Sequence, residues 1–296
     1  MAWKIALSHS RFACVESEDS PIAVLGVPFD ATSTFRPGSR YAPSRIREAS
    51  CNLELYSLLA QVILEDIGFK DYGDIVLPPG DVAEALAKIE FVLKNVSREH
   101  TGLLLILGGE HSITYPAARA LRNHVDTLIV FDAHLDARSE YLGSSLNHAT
   151  FLRKLVNEGF KVVHIGSRAY SKEELEYMSS TDVKVVSAVD LSNKVSNIER
   201  LGLGDLGSVY ISIDMDVFDP SIAPGVSNPE PFGLDHRLFL WALKSVFERS
   251  SDVIALDIVE VNPLVDVGGI TSVLAAKIAI EASGLYLKLK SSRGIK

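Results

Sequence analysis

Cysteine is nearly absent from this 296-residue sequence, which has only Cys14 and Cys51 and no CxxC pair. We therefore expect neither a disulfide framework nor a metal site made of thiolates. No apolar run approaches the roughly 20 residues that a membrane-spanning helix needs, and no apolar segment follows a basic cluster near the N-terminus. These absences favour a soluble, cytoplasmic protein with no membrane partner.

Positive charge is also scarce. Lys and Arg number 29 against 38 Asp and Glu, which gives a formal net charge of −9. A general nucleic-acid surface needs an excess of basic residues, so we expect no nucleic-acid partner. Hydrophobic residues make up 47% of the chain, enough for a large α/β core, and no linker or low-complexity segment divides it. We therefore predict one domain over residues 1–296.

Short apolar runs alternate with amphipathic segments along most of the chain. The runs predict strands at 22–27, 103–107, 128–131, 161–165, 183–187 and 253–258, and another that starts at residue 209. Helical periodicity predicts helices at 82–96, 113–123, 151–155, 171–178, 235–247 and 271–285. Residues 61–69 are predicted to contain a short strand, and residues 71–79 to be rich in turns. This alternation predicts a three-layer α/β sandwich, with a mostly parallel sheet and helices on both faces.

The most informative segment is LIVFDAHLD at residues 128–136. An apolar strand runs directly into Asp132, His134 and Asp136, three metal-ligand types at alternating positions. If the backbone stays extended, the three side chains point to the same side. Open α/β sheets bind ligands at the carboxyl ends of their strands, where these residues are expected to lie. Taken alone, the segment could also be a polar loop with chance spacing.

Two further predicted strands end in similar residues. His111 follows the strand at 103–107, within GGEHS, and Asp214 and Asp216 follow the strand that starts at residue 209. Four carboxylates and two imidazoles then converge, and four like charges need a counter-charge when they are buried. Two divalent cations would supply it, and oxygen-rich ligation favours Mn²⁺ over Zn²⁺. Because a two-metal site lowers the pKa of bound water, the implied chemistry is hydrolysis.

The segments GGEHS, DAHLD and SIDMDVFDPSIAPG resemble the three metal-binding motifs of the ureohydrolases, the arginase and agmatinase family. The likeness extends to FRPG at 35–38, IR at 46–47 and DIVEVNP at 257–263, and it covers nearly the whole chain in order. It implies an arginase-like sandwich with a mostly parallel sheet of about eight strands. It also implies a homo-oligomer, either a trimer or a hexamer.

The resemblance implies residue roles as well. Two Mn²⁺ ions per chain would have six ligands: His111 and Asp136 on one ion, His134 and Asp216 on the other, and Asp132 and Asp214 bridging both. Glu260 is similar in position to the acid that pairs with the substrate guanidinium, and His148 to the family's proton-transfer histidine. These two, with Asp136, are the expected catalytic residues. The loop around Phe35 and Arg36 would line the pocket rim and contact the substrate.

The expected reaction is hydrolysis of a guanidino group to urea and an amine. The run RSEYLG at 138–143, followed by LNHAT at 146–150, looks more like the agmatinase branch than the Asn- and Thr-rich loop of arginases. A pocket made for agmatine leaves an α-carboxylate without its donors. We therefore expect agmatine or N1-aminopropylagmatine as substrate in polyamine synthesis, with putrescine or spermidine as product, and arginine as a poor substrate.

Other functions remain open at this point. Arg138 is expected to be solvated or structural, but if it faces the pocket it would favour a guanidino acid such as guanidinobutyrate. An arginase, or a deacetylase-like enzyme with one metal, is possible on the same scaffold, although His111 and Asp136 favour two metals. A metal-binding regulatory protein without turnover is the alternative from a different class. His148 and Glu260 argue against it, unless they are a helix-start residue and a plain loop acid.

Overall fold

A computed structural model describes residues 7–8, 11–196 and 201–294 of the protein. Within these ranges, nine strands form one sheet and two form a separate hairpin. The strands are β1 (Leu7–Ser8), β2 (Ile22–Gly26), β3 (Tyr56–Ser57), β4 (Val62–Ile63), β5 (Lys70–Ile75), β6 (Leu103–Leu107), β7 (Thr127–Phe131), β8 (Lys161–Ser167), β9 (Lys184–Ser187), β10 (Gly207–Asp214) and β11 (Ser250–Val259). The order in the sheet is β1-β5-β2-β6-β11-β10-β7-β8-β9.

Eight α-helices in the described part of the chain cover the two faces of this sheet. They are α1 (Ala42–Ser50), α2 (Val82–Glu99), α3 (Thr114–Leu121), α4 (Phe151–Asn157), α5 (Lys172–Ser179), α6 (Ala188–Ser196), α7 (His236–Arg249) and α8 (Ile270–Ser292). Apolar residues of α1, α7 and α8 pack on one face, and those of α2, α3 and α4 on the other. Eight of the nine strands run parallel, and only β1 pairs antiparallel, at one edge. The predicted three-layer sandwich is confirmed.

The central strands are buried along their whole length, as their apolar sequences predict. The segments LLLIL in β6 and TLIVF in β7 have no exposed residue, which is typical of parallel strands covered on both faces. The four neighbours β6, β11, β10 and β7 run in the same direction. Their carboxyl ends therefore meet at one edge of the sheet, and the loops that follow them share a common space.

The region between α1 and α2 departs from the sequence prediction. The strand predicted within 61–69 is β4, which pairs with β3 outside the main sheet, whereas the residues 71–79, predicted as turns, contribute β5 to the main sheet. Buried Arg47 in α1 explains the difference. Its Nε donates to Asp71 Oδ2 at 2.8 Å, and its Nη1 pairs with Asp74. The charged residues in β5 are therefore paired inside the protein, not exposed in a turn.

Helix α8 is a core element of the sandwich. The expectation that no apolar run is long enough to span a membrane is wrong for the segment Val267–Ser292, but 72% of its most apolar window is buried inside the protein. Buried Glu281 accepts hydrogen bonds from Ser57 Oγ at 2.7 Å and from the backbone N–H of Leu58 at 3.0 Å. These hydrogen bonds fix the β3–β4 hairpin to α8, as expected for a helix that packs inside the core of the protein.

The expectation of no disulfide is wrong, because Cys14 and Cys51 are joined by one. Their Cα atoms are 5.1 Å apart, and the two residues are separated by 37 positions in the sequence. The backbone N–H of Ala13 also donates to Ser50 Oγ at 2.7 Å, so the same two segments are held by a hydrogen bond. The pairing depends on how residues 12–20 pack against the end of α1, which the cysteine spacing does not reveal.

Removal of this disulfide should lower the stability of the protein. We expect Cys51→Ser to reduce the free energy of unfolding by about 3–4 kcal/mol, since a cross-link that closes a loop of this length restricts the unfolded chain by about that amount. Denaturant unfolding with and without a reductant measures the loss.

Cys14→Ser is the matched control and should give the same loss. The reductant should destabilise the wild-type protein and leave both variants unchanged. Equal stability of the oxidised wild type and the variants would contradict the assignment.

Candidate metal centre and substrate pocket

The residues predicted as ligands lie at the carboxyl edge of the four central strands. His111 begins a short 3₁₀ turn after β6, and Asp132 follows β7 directly. Asp214 ends β10, and Asp216 lies in the 3₁₀ turn Met215–Val217 that comes next. The sheet order brings these strand ends together although they are distant in sequence.

One cluster forms around the imidazole of His111. Its Nδ1 lies 3.1 Å from Asp132 Oδ2, 3.1 Å from Asp214 Oδ2 and 3.4 Å from Asp136 Oδ2. Asp136 reaches this cluster because its backbone adopts a φ of 48°, a left-handed conformation that aspartate tolerates better than most residues. The extended backbone therefore ends before Asp136, but the carboxylate of Asp136 still joins the cluster.

A second cluster forms around His134. The Nδ1 atom of this residue lies 2.9 Å from Asp216 Oδ2 and 3.6 Å from Asp132 Oδ1. Asp132 thus belongs to both clusters, with Oδ2 near His111 and Oδ1 near His134. The two clusters can each hold a metal ion by the spacing of their ligand atoms.

The hydrogen bonds behind His111 show that a cation fits the first cluster. Ser212 Oγ donates to Asp257 Oδ1 at 2.7 Å and lies 3.0 Å from His111 Nε2, so the ring donates its Nε2 proton to Ser212. The lone pair on His111 Nδ1 then faces carboxylate oxygens, and neither this nitrogen nor Asp132 Oδ2 has a hydrogen-bond partner among the described residues. A positive charge between such atoms, either a metal cation or a proton on Nδ1, offsets their repulsion.

The protonation of the carboxylates indicates the same need for positive charge. Burial, followed by the charge of Asp132, raises the pKa of Asp136 to about 7. Burial and the charges of Asp216 and Asp132 raise the pKa of Asp214 well above its usual range. Protons and cations therefore compete for these oxygens, so metal binding would release protons.

Glu260 lies directly after β11 with a φ of 63° and a side chain that is almost fully buried. Its Oε1 accepts a hydrogen bond from the backbone N–H of His111 at 2.8 Å, whereas its Oε2 has no partner among the described residues. Burial, followed by the charge of Glu110, raises the pKa of Glu260 to about 8. A buried carboxylate of this kind is stabilised by a cationic partner, and Glu260 lines the pocket from which such a partner would approach.

His148 faces the same pocket from the first position of the 3₁₀ turn His148–Thr150. Its backbone N–H donates to Thr32 Oγ1 at 3.1 Å, its Nδ1 lies 3.4 Å from the same oxygen, and its Nε2 lies 3.5 Å from Thr34 Oγ1. Burial lowers the pKa of His148 to about 4. The ring is therefore neutral at pH 7, instead of titrating near neutrality as its unperturbed pKa suggests.

The pocket has a volume of about 360 Å³. It is lined by the predicted site residues His134, Asp136, Asp214, Asp216, His148 and Glu260, and by other residues that include Thr34, Arg138, Tyr141, Tyr170, Glu174 and Asn228. Phe35 and Arg36 are not among the residues that line the pocket. Phe35 is 61% exposed, and the guanidinium of Arg36 lies 4.7 Å from the ring centroid of Phe35. Their place at the rim stays a prediction.

Arg138 faces the pocket together with an acid. Its Nε lies 3.9 Å from Glu174 Oε2, and its guanidinium carbon lies 5.0 Å from the ring centroid of Tyr141. Glu174 is buried and also accepts hydrogen bonds from the backbone N–H groups of Ala137 and Ser171, at 3.1 and 2.8 Å. Arg138 therefore lines the pocket, and its charge has a nearby counter-charge.

Several contributing residues carry no motif and were missed at the sequence level. Arg168 is the clearest case: its Nη2 donates to the backbone carbonyls of Asp216 and Glu230, both at 2.7 Å, and so holds the loop after β10. Tyr170 and Glu174 follow β8, the strand next to β7. The rule that sites lie at the carboxyl ends of neighbouring strands could have drawn attention to the loop after β8.

Comparisons with known proteins indicate the family of this chain. The Arginase family model matches residues 20–284. Agmatinase from Pyrococcus horikoshii is 35% identical over 92% of this chain and 94% of its own length. N(1)-aminopropylagmatine ureohydrolase from Thermococcus kodakarensis is 34% identical over 94% of this chain and 95% of its own. The structure of proclavaminate amidino hydrolase from Streptomyces clavuligerus superimposes with a TM-score of 0.84 at 30% identity, and covers 96% of this chain and 99% of its own. The chain therefore belongs to the arginase family, as a ureohydrolase of the agmatinase-like branch.

Proposed function

We propose that this ureohydrolase cleaves the guanidino group of agmatine or N1-aminopropylagmatine, giving urea and either putrescine or spermidine for polyamine synthesis. Two Mn²⁺ ions would be held by His111, Asp132, His134, Asp136, Asp214 and Asp216. The observation that carries this proposal is that three buried atoms of the site, His111 Nδ1, Asp132 Oδ2 and Glu260 Oε2, have no hydrogen-bond partner among the described residues. Glu260 also lines the pocket.

The ligand set suits two divalent cations. When bound, they would supply a hydroxide nucleophile near neutral pH, because a two-metal site lowers the pKa of water. The charges of four carboxylates are balanced by two such ions, and carboxylate oxygens with two imidazoles favour Mn²⁺ over Zn²⁺. Asp132 turns one oxygen toward each histidine, which supports a bridging role. Asp214 lies in the His111 cluster, and its bridging role is part of the proposal.

Glu260 would bind and orient the substrate guanidinium. One of its oxygens is held by the backbone of His111, so the free Oε2 is positioned by a residue of the metal cluster. A planar guanidinium donates parallel hydrogen bonds to a carboxylate. Because Glu260 is almost fully shielded from solvent, this pairing is strong and places the guanidinium carbon beside the ligands.

His148 would move the proton that the leaving amine requires. Its neutral ring presents Nε2 toward Thr34 in the pocket wall, where the nitrogen can accept a proton from the attacking water and then donate it to the amine. A positioned base of this kind typically contributes about 10²–10⁴-fold to the rate. One guanidinium and one water then give urea and the amine as an alkylammonium ion.

An amine substrate is favoured over an acid by the relatives of this chain, because the pocket itself carries one charge of each sign. Arg138 stands beside Glu174, and both residues line the pocket. The agmatinase of Pyrococcus horikoshii and the aminopropylagmatine enzyme of Thermococcus kodakarensis support an amine. The second candidate is a guanidino acid such as guanidinobutyrate, which the presence of Arg138 in the pocket favours.

Three other expectations belong to the same proposal. The enzyme would act in the cytoplasm, as a single domain over residues 1–296, and would assemble as a trimer or a hexamer. Size-exclusion chromatography with light scattering measures the assembly directly.

The metal content of ligand variants tests the dinuclear site. Wild-type protein that is chelated and then reconstituted with Mn²⁺ should bind about two ions per chain. We expect Asp132→Ala to lose affinity at both positions, because it contacts both clusters, and Asp216→Ala to lose mainly one ion.

Glu140→Ala removes an exposed acid of the loop after β7 and should keep both ions. Elemental analysis after dialysis gives the counts. One tightly bound ion in the fully active wild type would rule out the two-metal proposal.

The role of His148 is tested by separating turnover from metal binding. His148→Asn should lower kcat by about 10²–10⁴-fold, because proton transfer is lost, while the Mn²⁺ content stays at the wild-type level. Urea release and elemental analysis on the same preparation give both values. If the metal content falls with activity, His148 is a ligand or a structural residue.

The substrate is tested by comparing kcat/KM for agmatine, N1-aminopropylagmatine, guanidinobutyrate and arginine at one pH with Mn²⁺. We expect one of the two amines to be preferred and arginine to be poor, since its α-carboxylate finds no dedicated donors. Preference for arginine over both amines would refute the assignment.

Arg138→Ala distinguishes the second candidate. If guanidinobutyrate is preferred by the wild type and this preference disappears in Arg138→Ala, the enzyme is a guanidino-acid hydrolase. Arg153→Ala is the matched control, because Arg153 pairs with Glu173 at 2.7 Å and does not line the pocket. It should leave the order of substrates unchanged.

A further inference from the structure

The hydroxyl of Thr32 lies between the buried carboxylate of Glu110 and the ring of His148. The backbone N–H of Thr32 donates to Glu110 Oε2 at 2.8 Å, and Thr32 Oγ1 donates to Glu110 Oε1. The same Oγ1 lies 3.1 Å from the backbone nitrogen of His148 and 3.4 Å from its Nδ1. Neither Thr32 nor Glu110 has a role in the proposed chemistry so far.

The direction of these hydrogen bonds determines which nitrogen of His148 carries the proton. Ser112 Oγ also donates to Glu110, at 2.5 Å, so the carboxylate receives protons from all its neighbours. The single hydroxyl proton of Thr32 is used in this way, and its oxygen can then only accept. It accepts from the backbone N–H of His148 and from the ring, which places the ring proton on Nδ1. The Nε2 lone pair is left on the pocket side, where Nε2 lies 3.5 Å from Thr34 Oγ1.

We propose that Glu110 and Thr32 are positioning residues that together fix the orientation and tautomer of His148. The proton-transfer role of His148 comes from the proposed function, and this inference rests on it. Without Thr32, the ring could rotate or carry its proton on Nε2, and the nitrogen that must accept a proton would be blocked.

The tight approach of two loops makes this arrangement possible. A Cβ atom at Gly109 would lie 1.9 Å from the carbonyl oxygen of Phe29, and the backbone N–H of Glu110 donates to that oxygen at 2.7 Å. Only glycine at position 109 permits the contact. The loop after β2 therefore lies directly on the turn after β6, and Glu110 reaches Thr32. Two adjacent residues of this turn therefore have different roles. His111 belongs to the metal cluster, and Glu110 holds Thr32 against the proton-transfer residue His148.

The alternative is that Thr32 and Glu110 only anchor the loop. A loop anchor would affect stability or KM and would act whether or not His148 is present. A positioning residue acts through His148, so its removal should lower kcat and have no further effect once His148 is gone. A double-mutant cycle separates the two possibilities.

The experiment uses the Mn²⁺-reconstituted full-length enzyme with Thr32→Val, Thr32→Ser, His148→Asn and the Thr32→Val/His148→Asn double variant. Thr32→Val should lower kcat by about 10–10²-fold, since misplacement of a reacting group by about 1 Å can cost 10²-fold. The KM and the Mn²⁺ content should stay at the wild-type level. Thr32→Ser keeps the hydroxyl and should recover most of kcat. The double variant should match His148→Asn.

Ser33→Ala is the matched control, because its hydroxyl lies 3.4 Å from Glu110 and has no hydrogen bond to His148. It should retain wild-type kcat. Glu110→Gln is a second variant, which removes an acceptor for Thr32 while it keeps the side-chain shape. It should lower kcat with unchanged Mn²⁺ content, and this loss should also disappear in the His148→Asn background.

Two results would overturn the inference while leaving the proposed function intact: a wild-type kcat in Thr32→Val, or an equal loss from Thr32→Val with and without His148. A different result, wild-type turnover in His148→Asn, would remove the proton-transfer role from the proposed function. Any loss in Thr32→Val would then act by another route, and this inference would fall with it.

Discussion

Four carboxylates buried at one edge of an apolar sheet are the constraint on which the rest of this structure depends. Burial, together with the charges of neighbouring carboxylates, raises the pKa of Asp136 to about 7 and that of Asp214 well above its usual range, so the fold needs positive charge at this edge. The parallel central strands bring the acids together. The network behind His111 then turns the lone pair of its Nδ1 toward them. A site of this kind exchanges protons for cations, and its occupancy depends on both pH and metal concentration.

Residues that contact the candidate ligands or their loops, without lying among the ligands themselves, support the site. Asp257 acts on His111 through Ser212, and Arg168 holds the loop after β10 through backbone carbonyls. Neighbours of this sort fix the geometry of a ligand or a base, and their loss typically weakens metal binding or activity without touching the ligands themselves. The inferred roles of Glu110 and Thr32 follow the same logic, because they act on His148 and not on the substrate. The pocket is therefore shaped as much by hydrogen-bond direction as by the residues that face it.

A feature of this structure could be predicted from the sequence when it depends on residues close together in the chain, and not when it depends on contacts between distant segments. The central strands and the grouping of the six ligand-type residues could be predicted, because apolar runs and alternating spacing are local signals. Strand β5 was missed because Asp71 and Asp74 look like turn residues until Arg47 is placed beside them. The disulfide, the pairing of Arg138 with Glu174 and the contact of Thr32 with His148 join segments that are distant in the chain. No local spacing reports such contacts, which exist only once the loops have packed.

The disulfide has a consequence for the integrity of the pocket. Cys14 and Cys51 close a covalent ring that contains β2, the loop with Thr32 and Thr34, and α1. Within that ring, the side of the loop near Phe35 is exposed and free of regular secondary structure, which is the usual place for proteolytic cleavage. A single cut there leaves the two fragments covalently joined, with the pocket-lining threonine still tethered beside the site. The nicked protein separates into two chains only when a reductant opens the ring.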